Sequence, residues 1–303
     1  MPANDLAARD TGRSIFVSAQ DGLKLHVREY GARTAPGLPV VCLPGLTRTV
    51  EDFDVLAPAL AGSGGAKRHV IAIDSRGRGR SGYDANPDNY NLAVELADVM
   101  TVLTALDVGP AVFVGSSRGG ILTMLLGAAH PAVIAGAVLH DIGPVIDTAG
   151  VLRIKSYVGK LPPPQNFADG AAILQRLFGA QFPKFTTAQW LASAKRTWRI
   201  KDGALEPTYD VRLARTLADF DIENPLPPLW NEFDALRGVP VLVIRGANSD
   251  ILSAATVEAM AVRHPGLQVL EVPDQGHVPA FDRDIVARVA DFVAACDKAH
   301  STL

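Results

Sequence analysis

One serine lies where a strand and a helix are predicted to meet. Ser117 is the central residue of a G-x-S-x-G pattern that runs from Gly115 to Gly119. A β-branched run precedes the pattern and a helical run follows it, which is the context of a nucleophile elbow. Such a turn strains the serine backbone, so residues two positions away must be almost free of side chain, as glycine is. We therefore predict that Ser117 is a nucleophile, supported by Gly115 and Gly119.

A serine nucleophile needs a base, and the base needs a carboxylate that orients it. Among the seven histidines, His277 stands apart because it follows the last predicted strand, in a loop. Asp250 follows the preceding predicted strand and completes the order Ser, Asp, His along the chain. The sequence therefore predicts a Ser117–His277–Asp250 triad.

Alternating strand and helix patterns predict the elements that position these residues. Short apolar runs alternate with helical patterns in the first half, which is typical of a mainly parallel sheet covered by helices. An Asp21-Gly22 turn joins the first two strands as a hairpin. The predicted strands are Ile15–Ser18, Leu23–Glu29, Val40–Leu43, Val70–Asp74, Val112–Gly115, Ile134–His140, Val239–Arg245 and Leu267–Val272. The predicted helices lie at about 51–61, 90–106 and 117–129, and a terminal helix runs from Ile285 to Cys296.

The segment after the sixth of these strands has a different composition. Residues 144–240 hold 10 of the 21 prolines and all three tryptophans, so their helices should be short and joined by stiff loops. We interpret residues 144–237 as a helical lid inserted into a core domain of residues 1–143 and 238–303. The alternative is an ordinary second domain whose aromatic residues fill its own core. With a lid, at least one of its aromatic side chains should line the cavity above Ser117.

These motifs resemble those of the α/β-hydrolase superfamily, over nearly the whole chain from about residue 12. Leu43-Pro44-Gly45-Leu46 looks like the oxyanion loop of that family, so the resemblance implies that the N–H groups of Leu46 and Arg118 form an oxyanion hole. Residues 74–81 resemble its D-x-R-G-x-G-x-S segment, which is structural there. The resemblance implies an α/β-hydrolase fold, with a mostly parallel eight-stranded sheet, helices on both faces and a helical lid.

The same family offers two positions for the acid. Some members take it from the end of the sixth strand, where Asp141 lies, and the commoner position is that of Asp250. Both loops should lie at the carboxyl edge of the sheet, where open α/β sheets place their sites. We expect Asp250 to be the acid, because it precedes a helical pattern as the family motif does, and Asp141 to anchor the start of the lid.

The predicted function is that of a serine esterase, which cleaves a small-molecule carboxylic ester through an acyl-serine intermediate. The aromatic content of the lid favours an apolar acyl pocket. A lactonase or a C–C bond hydrolase with the same triad remains an alternative, as does a ligand-binding receptor on the same fold.

Composition excludes other classes of protein. Among the 303 residues, 32 acidic and 29 basic side chains give a net charge of −3, so nothing suggests a nucleic-acid partner. No apolar stretch is long enough to span a bilayer, and the first residues lack the apolar segment of a secretory signal, so we expect a cytoplasmic protein without membrane contact. We expect no cofactor and no metal. A G-x-G-x-x-G match at 77–82 resembles the fingerprint of a dinucleotide site, but it opens into a loop and not into the helix that such a site requires. Cys42 and Cys296 lie in apolar surroundings and should be core side chains. The oligomeric state stays open.

Overall fold

The computed structural model describes residues 12–62, 67–223 and 225–301. An eight-stranded sheet forms its centre. Its strands are β1 (Arg13–Ser18), β2 (Lys24–Tyr30), β3 (Gly37–Leu43), β4 (Arg68–Ile73), β5 (Ala111–Ser116), β6 (Ile134–His140), β9 (Val241–Gly246) and β10 (Gln268–Val272). They lie in the order β1-β2-β4-β3-β5-β6-β9-β10 across the sheet. The pairs β1–β2 and β2–β4 are antiparallel, and the other neighbours in this sheet are parallel.

Helices cover both faces of this sheet, as predicted. Alternate residues of β3 show why: Val41 belongs to the apolar cluster of one face, and Val40 and Cys42 belong to that of the other. These strands read as continuous apolar runs because both of their faces are buried. Cys296 joins Cys42 in the second cluster, which confirms that both cysteines are core side chains.

The helices of the core agree with the predicted patterns except at the first. They are α1 (Leu56–Gly62), α2 (Leu92–Ala105), α3 (Arg118–Ala129), α8 (Ala254–Arg263) and α9 (Arg283–His300). The predicted helix at 51–61 divides into a 3₁₀ turn, Val50–Phe53, and α1. Pro58 explains the division, because a residue without an N–H is tolerated in the first turn of a helix and disrupts its interior. No helix in the described part of the chain combines the length and apolar character needed to cross a membrane.

The segment between β6 and β9 contains helices and one hairpin. Its elements are α4 (Thr148–Tyr157), α5 (Phe167–Phe178), α6 (Thr187–Thr197), β7 (Trp198–Lys201), β8 (Ala204–Pro207) and α7 (Trp230–Asp234). Trp190 and Trp198 are buried in a small apolar cluster that α5 and α6 form between them, as the second-domain interpretation expects. A further cluster joins Tyr209 and Val158 of the segment to Tyr90 of the core, so the segment also packs on the sheet domain. We refer to residues 144–237 below as the insert.

Candidate active site

Ser117 lies on a sharp turn between β5 and α3. Its backbone angles are φ 50° and ψ −114°, a conformation that a residue with a side chain rarely adopts. A Cβ atom at Gly115 would collide with the Gly119 carbonyl group, and one at Gly119 would collide with the Leu43 carbonyl group. At both positions, therefore, only glycine fits the turn without a collision.

His277 lies in the loop after β10 and contacts the serine directly. Its Nε2 atom is 2.8 Å from the Oγ atom of Ser117, and its Nδ1 atom is 2.7 Å from the Oδ2 atom of Asp141. A neutral imidazole that donates from Nδ1 to a carboxylate presents a lone pair at Nε2, which can accept the serine proton. The three side chains are therefore joined by a continuous series of two hydrogen bonds.

Asp141, at the end of β6, is the carboxylate that the structure places on His277. Its side chain is fully buried, and it accepts three hydrogen bonds. Besides His277, the N–H group of Gly246 donates to Oδ1 at 2.7 Å, and the hydroxyl of Ser249 donates to Oδ2 at 2.6 Å. Several donors replace the water that a buried carboxylate loses, and they fix its orientation. Asp141 is thus suited to orient the imidazole.

The expectation that Asp250 holds His277 is wrong. Arg153 of α4 binds the Asp250 carboxylate through two hydrogen bonds, Nε to Oδ2 at 2.5 Å and Nη2 to Oδ1 at 2.7 Å. Gly150 packs against the backbone of Asp250, which places Arg153 beside it one helical turn later. Burial raises the pKa of Asp250, but the hydrogen bonds and charge of Arg153 more than offset this, so that pKa lies below its ordinary value. Asp250 therefore joins the insert to the sheet domain.

The loop after β3 approaches the serine from the other side. A Cβ atom built on Gly45 would lie 3.6 Å from the Cβ atom of Ser117, so this loop borders the space above the hydroxyl group. Neither the N–H of Leu46 nor that of Arg118 donates a hydrogen bond to another described residue. Arg118 is the first residue of α3, where N–H groups have no partner within the helix. Both predicted oxyanion donors are therefore available at the site.

Comparison with known proteins agrees with this architecture. The model of the alpha/beta hydrolase family matches residues 40–289. The crystal structure of an alpha/beta hydrolase from Novosphingobium aromaticivorans superposes with a TM-score of 0.86 at 36% identity, over 93% of this chain and 98% of that one. The chain belongs to the alpha/beta hydrolase family. The resemblance drawn from the motifs is confirmed, and so is the fold class.

Relatives of this hydrolase include enzymes with named substrates. A 3-hydroxybutyrate-oligomer hydrolase from Cupriavidus necator is 35% identical over 276 residues, which cover 88% of this chain and 92% of that protein. A 2-(acetamidomethylene)succinate hydrolase from Mesorhizobium japonicum is 27% identical over 282 residues, which cover 90% and 92%. Hydrolysis is common to these relatives, and their substrates differ.

Sequence reasoning missed His140, which lies directly before Asp141. Its ring is buried, its Nδ1 atom is 2.9 Å from the Oγ atom of Ser116, and its centroid is 4.5 Å from that of Phe281. Burial lowers the pKa of His140 to about 4, so the hydrolase holds this side chain neutral. The sequence signal for His140 was the apolar run at 134–140 that it ends, because a histidine in a strand buried on both faces must itself be buried.

Several insert residues lie against the loops that border Ser117. Helix α4 begins at the Asp250 loop, and its last residue, Tyr157, packs on the same apolar cluster as Leu46. Phe178, at the end of α5, contacts the Tyr157 ring edge-on at 5.2 Å between centroids. Gln181 lies against the loop that carries His277. Insert residues therefore approach the site on both the Leu46 side and the His277 side.

Proposed function

We propose that this hydrolase cleaves carboxylic esters through an acyl-serine intermediate, with Ser117 as nucleophile, His277 as general base and Asp141 as the orienting acid. The observation that carries the proposal is the unbroken series of hydrogen bonds from Ser117 to His277 and from His277 to Asp141, at 2.8 and 2.7 Å. Nucleophile, base and orienting group within such distances are the geometric signature of serine catalysis.

The reaction proceeds in two halves. His277 takes the Ser117 proton at Nε2 while Oγ forms a bond to the ester carbonyl carbon. The tetrahedral intermediate then expels the alcohol, which leaves with the proton that His277 returns to it. In the second half His277 takes a proton from water as the water oxygen attacks the acyl carbonyl carbon. The bond from that carbon to Oγ then breaks, the acid departs, and His277 returns the proton to Oγ of Ser117. Asp141 stabilises the imidazolium ion that forms in each half.

Leu46 and Arg118 supply the oxyanion hole in this proposal. Their N–H groups come from the two loops that border Ser117, and each has no other partner among the described residues. Backbone donors of this kind stabilise the negative charge of the tetrahedral intermediate, and each contributes about 3 kcal/mol. The helix dipole of α3 adds to the same effect.

The insert acts as a lid that forms the acyl pocket. Tyr157 and Phe178 are the aromatic side chains of the insert that support this assignment, because they contact each other beside the Leu46 cluster. Trp190 and Trp198 fill the core of the insert itself. Esters that link 3-hydroxybutyrate units are the first substrates to test, because the Cupriavidus necator relative is an oligomer hydrolase of that acid.

A fluorophosphonate probe tests the nucleophile whatever the natural substrate is, because it reacts with the activated serine itself. Ser117→Ala should abolish labelling and lower ester hydrolysis by at least ~10⁴-fold, with the fold retained. Ser116→Ala is the matched control: it removes the adjacent hydroxyl, which contacts His140 and not His277, and it should still be labelled. Peptide mapping that places the adduct on a residue other than Ser117 would contradict the mechanism. Release of 3-hydroxybutyrate from its dimer, followed by chromatography, tests the substrate class.

A further inference from the structure

Both oxyanion donors are attached to one buried group of charged side chains. The group consists of Arg78, Glu95 and Arg118, and it ends on the Leu46 carbonyl group. Arg78 comes from the loop after β4 and Glu95 from α2, so neither belongs to the two loops that border Ser117. Arg78 and Glu95 are each 1% exposed. The D-x-R-G-x-G-x-S resemblance gave Arg78 no role, since it occupies one of the variable positions of that pattern.

On one side, Arg78 holds the loop that carries Leu46. Its Nε atom donates to the Leu46 carbonyl oxygen at 2.7 Å. The preceding carbonyl, that of Gly45, accepts from the Arg48 N–H at 3.2 Å. Because a trans peptide directs its carbonyl and N–H in opposite directions, anchoring the Gly45 carbonyl fixes where the Leu46 N–H points. The two anchored carbonyls therefore determine the direction of this donor.

On the other side, Glu95 holds the first residue of α3. Its Oε1 atom accepts from Nη1 of Arg78 at 2.7 Å, and its Oε2 atom accepts from Nε of Arg118 at 2.7 Å. Each carboxylate oxygen thus binds one arginine. Glu95 therefore connects Arg118, whose N–H group is one donor, to Arg78, which holds the loop that carries the other donor, the Leu46 N–H group.

We propose that Arg78 and Glu95 are positioning residues of the oxyanion hole, which fix the separation and direction of the Leu46 and Arg118 N–H groups. This inference rests on the proposed function, because the proposed function is what assigns those two N–H groups to the oxyanion hole. Oxyanion stabilisation depends on donors that are in place before charge develops, so a network that removes freedom from both loops raises the rate of the chemical step.

The charges of the group suit the same task. Two arginines and one glutamate leave one net positive charge beside the site where the oxyanion forms. Burial raises the pKa of Glu95, but the charges of Arg118 and Arg78 more than offset it, so that pKa lies below its ordinary value and Glu95 stays ionised. The Nη2 atom of Arg78 is buried without a hydrogen-bond partner among the described residues. Buried ion groups of this kind contribute little net stability, and an unsatisfied donor reduces it further, so positioning accounts for the group better than stability does.

Arg76 provides a matched control within the same loop. It is equally buried, and it binds Asp98 through two hydrogen bonds of 2.7 Å and Asp84 through one of 2.6 Å. These bonds join the loop to α2 and to a neighbouring turn, away from Leu46 and Arg118. Arg76→Lys and Arg78→Lys therefore impose the same chemical change on two buried arginines of one loop. Lysine at 78 has one nitrogen, which cannot bind Glu95 and the Leu46 carbonyl in the arginine's fork geometry.

The experiment measures the second-order rate of fluorophosphonate labelling at Ser117 for each folded variant, together with kcat and KM for a simple ester. Arg78→Lys should lower the labelling rate and kcat about tenfold or more, with KM changed little, because the loss is confined to the transition state. A trifluoromethyl ketone, which forms a charged tetrahedral adduct, should lose affinity by the same factor. Arg76→Lys should stay within about twofold of the native labelling rate once the folded fraction is measured.

Each result decides between distinct conclusions. If Arg78→Lys does not fold, Arg118→Met serves in its place, because it removes the side-chain attachment and keeps the backbone N–H; its labelling rate should fall by a similar factor. Native labelling rates in folded Arg78→Lys and Arg118→Met, or equal losses in Arg76→Lys, would overturn the inference and leave the proposed function intact. A native protein that the probe does not label at Ser117 would instead overturn the proposed function.

Discussion

Two turns at the carboxyl edge of the sheet each carry an aspartate, and their surroundings differ. The turn after β6 holds Asp141, whose side chain is fully buried and accepts from Gly246, Ser249 and His277. The turn after β9 holds Asp250, which is 27% exposed and forms an ion pair with Arg153. The two strands are direct neighbours, paired in parallel, so their ends lie close together. Position at the sheet edge therefore does not determine which carboxylate binds His277, because both aspartates lie there.

The two aspartates differ in which part of the chain orients their carboxylates. The three donors to Asp141 all come from the sheet domain, so no hydrogen bond from the insert is needed to orient its carboxylate. Asp250 is bound by an insert helix, and its orientation depends on where α4 lies. A catalytic carboxylate needs the first arrangement, because it must orient the neutral imidazole in the correct tautomer and then stabilise the imidazolium ion. An ion pair that joins two parts of the chain needs only the arrangement of Asp250, in which a residue of one part binds a residue of the other.

The largest effect should follow from Asp141→Asn. The amide keeps the shape of the side chain but can donate to the imidazole, which favours the wrong histidine tautomer. We expect kcat for a simple ester to fall by up to ~10⁴, with KM changed far less. Steady-state kinetics of the purified variant, after circular dichroism has established that it is folded, gives the answer. Near-native turnover would exclude Asp141 as the acid.

A large effect on acid stability should come from His140, on the same strand. Its pKa is about 4 in the folded protein, and the ordinary value is 6.5. A lowered histidine pKa means that the unfolded chain binds more protons between these values, so stability falls as the pH falls from 6.5 to 4. The full decrease in the free energy of unfolding that results is about 3 kcal/mol. Above pH 6.5 this contribution is fully present.

Urea unfolding at pH 7 and at pH 4.5 measures this effect. The difference between the two free energies of unfolding should be smaller in His140→Asn than in the native protein, because the variant has no titrating group at this position. His130→Asn, at an exposed position, is the control and should retain the native difference. An unchanged pH dependence in His140→Asn would show that other groups cause the acid instability.

A smaller effect should follow from Ser249→Ala, which removes one donor from Asp141. A hydrogen bond to a buried charge is worth about 1.5 kcal/mol or more, which corresponds to roughly a tenfold loss in kcat if it acts on catalysis alone. The remaining donors, Gly246 and His277, should keep Asp141 in place. Ser249→Cys or Ser249→Thr can be compared with alanine, and threonine, which retains the hydroxyl, should recover part of the lost rate. A rate unaffected by alanine would show that two donors suffice.

The smallest effect should follow from Asp250→Asn. This change weakens the pair with Arg153, which is partly exposed, so the free energy of unfolding should fall by about 1 kcal/mol or less. We expect kcat to stay within about threefold of the native value. The same substitution is thus expected to lower kcat strongly at position 141 and hardly at all at position 250. A loss at position 250 comparable to that at 141 would remove the distinction between them.

Much of the fold was predictable because its signals are local. The run at 134–140 was predicted as a strand and is β6, and the helix predicted at 90–106 is Leu92–Ala105. The elbow at Ser117 was predictable for the same reason, since its glycines relieve collisions within a few residues or with the adjoining strand. Strands that are buried on both faces and tight turns can be predicted from their own residues, because those residues determine the local structure.

The carboxylate that binds His277 was not predictable in the same way. Asp141 and Asp250 follow neighbouring parallel strands, so both satisfy the rule that sites lie at the carboxyl edge. What separates them is the contact of Arg153 with Asp250, which joins residues 97 positions apart through the packing of an insert helix. The hairpin of β7 and β8 was missed for another reason. Asp202-Gly203, at φ 51° and 82°, is a type of turn that predicts a hairpin, but the proline-rich composition around it favoured loops and short helices.

Asp141, and not Asp250, holds His277, and proton NMR tests this contact most directly. In protein labelled with nitrogen-15 at histidine, an Nδ1 proton hydrogen-bonded to a buried carboxylate is strongly deshielded and protected from exchange, so it resonates far downfield. We predict such a resonance for His277 in the native protein and, nearly unchanged, in Asp250→Asn, and its loss or a large upfield shift in Asp141→Asn. Retention of the resonance in Asp141→Asn together with its loss in Asp250→Asn would contradict the account.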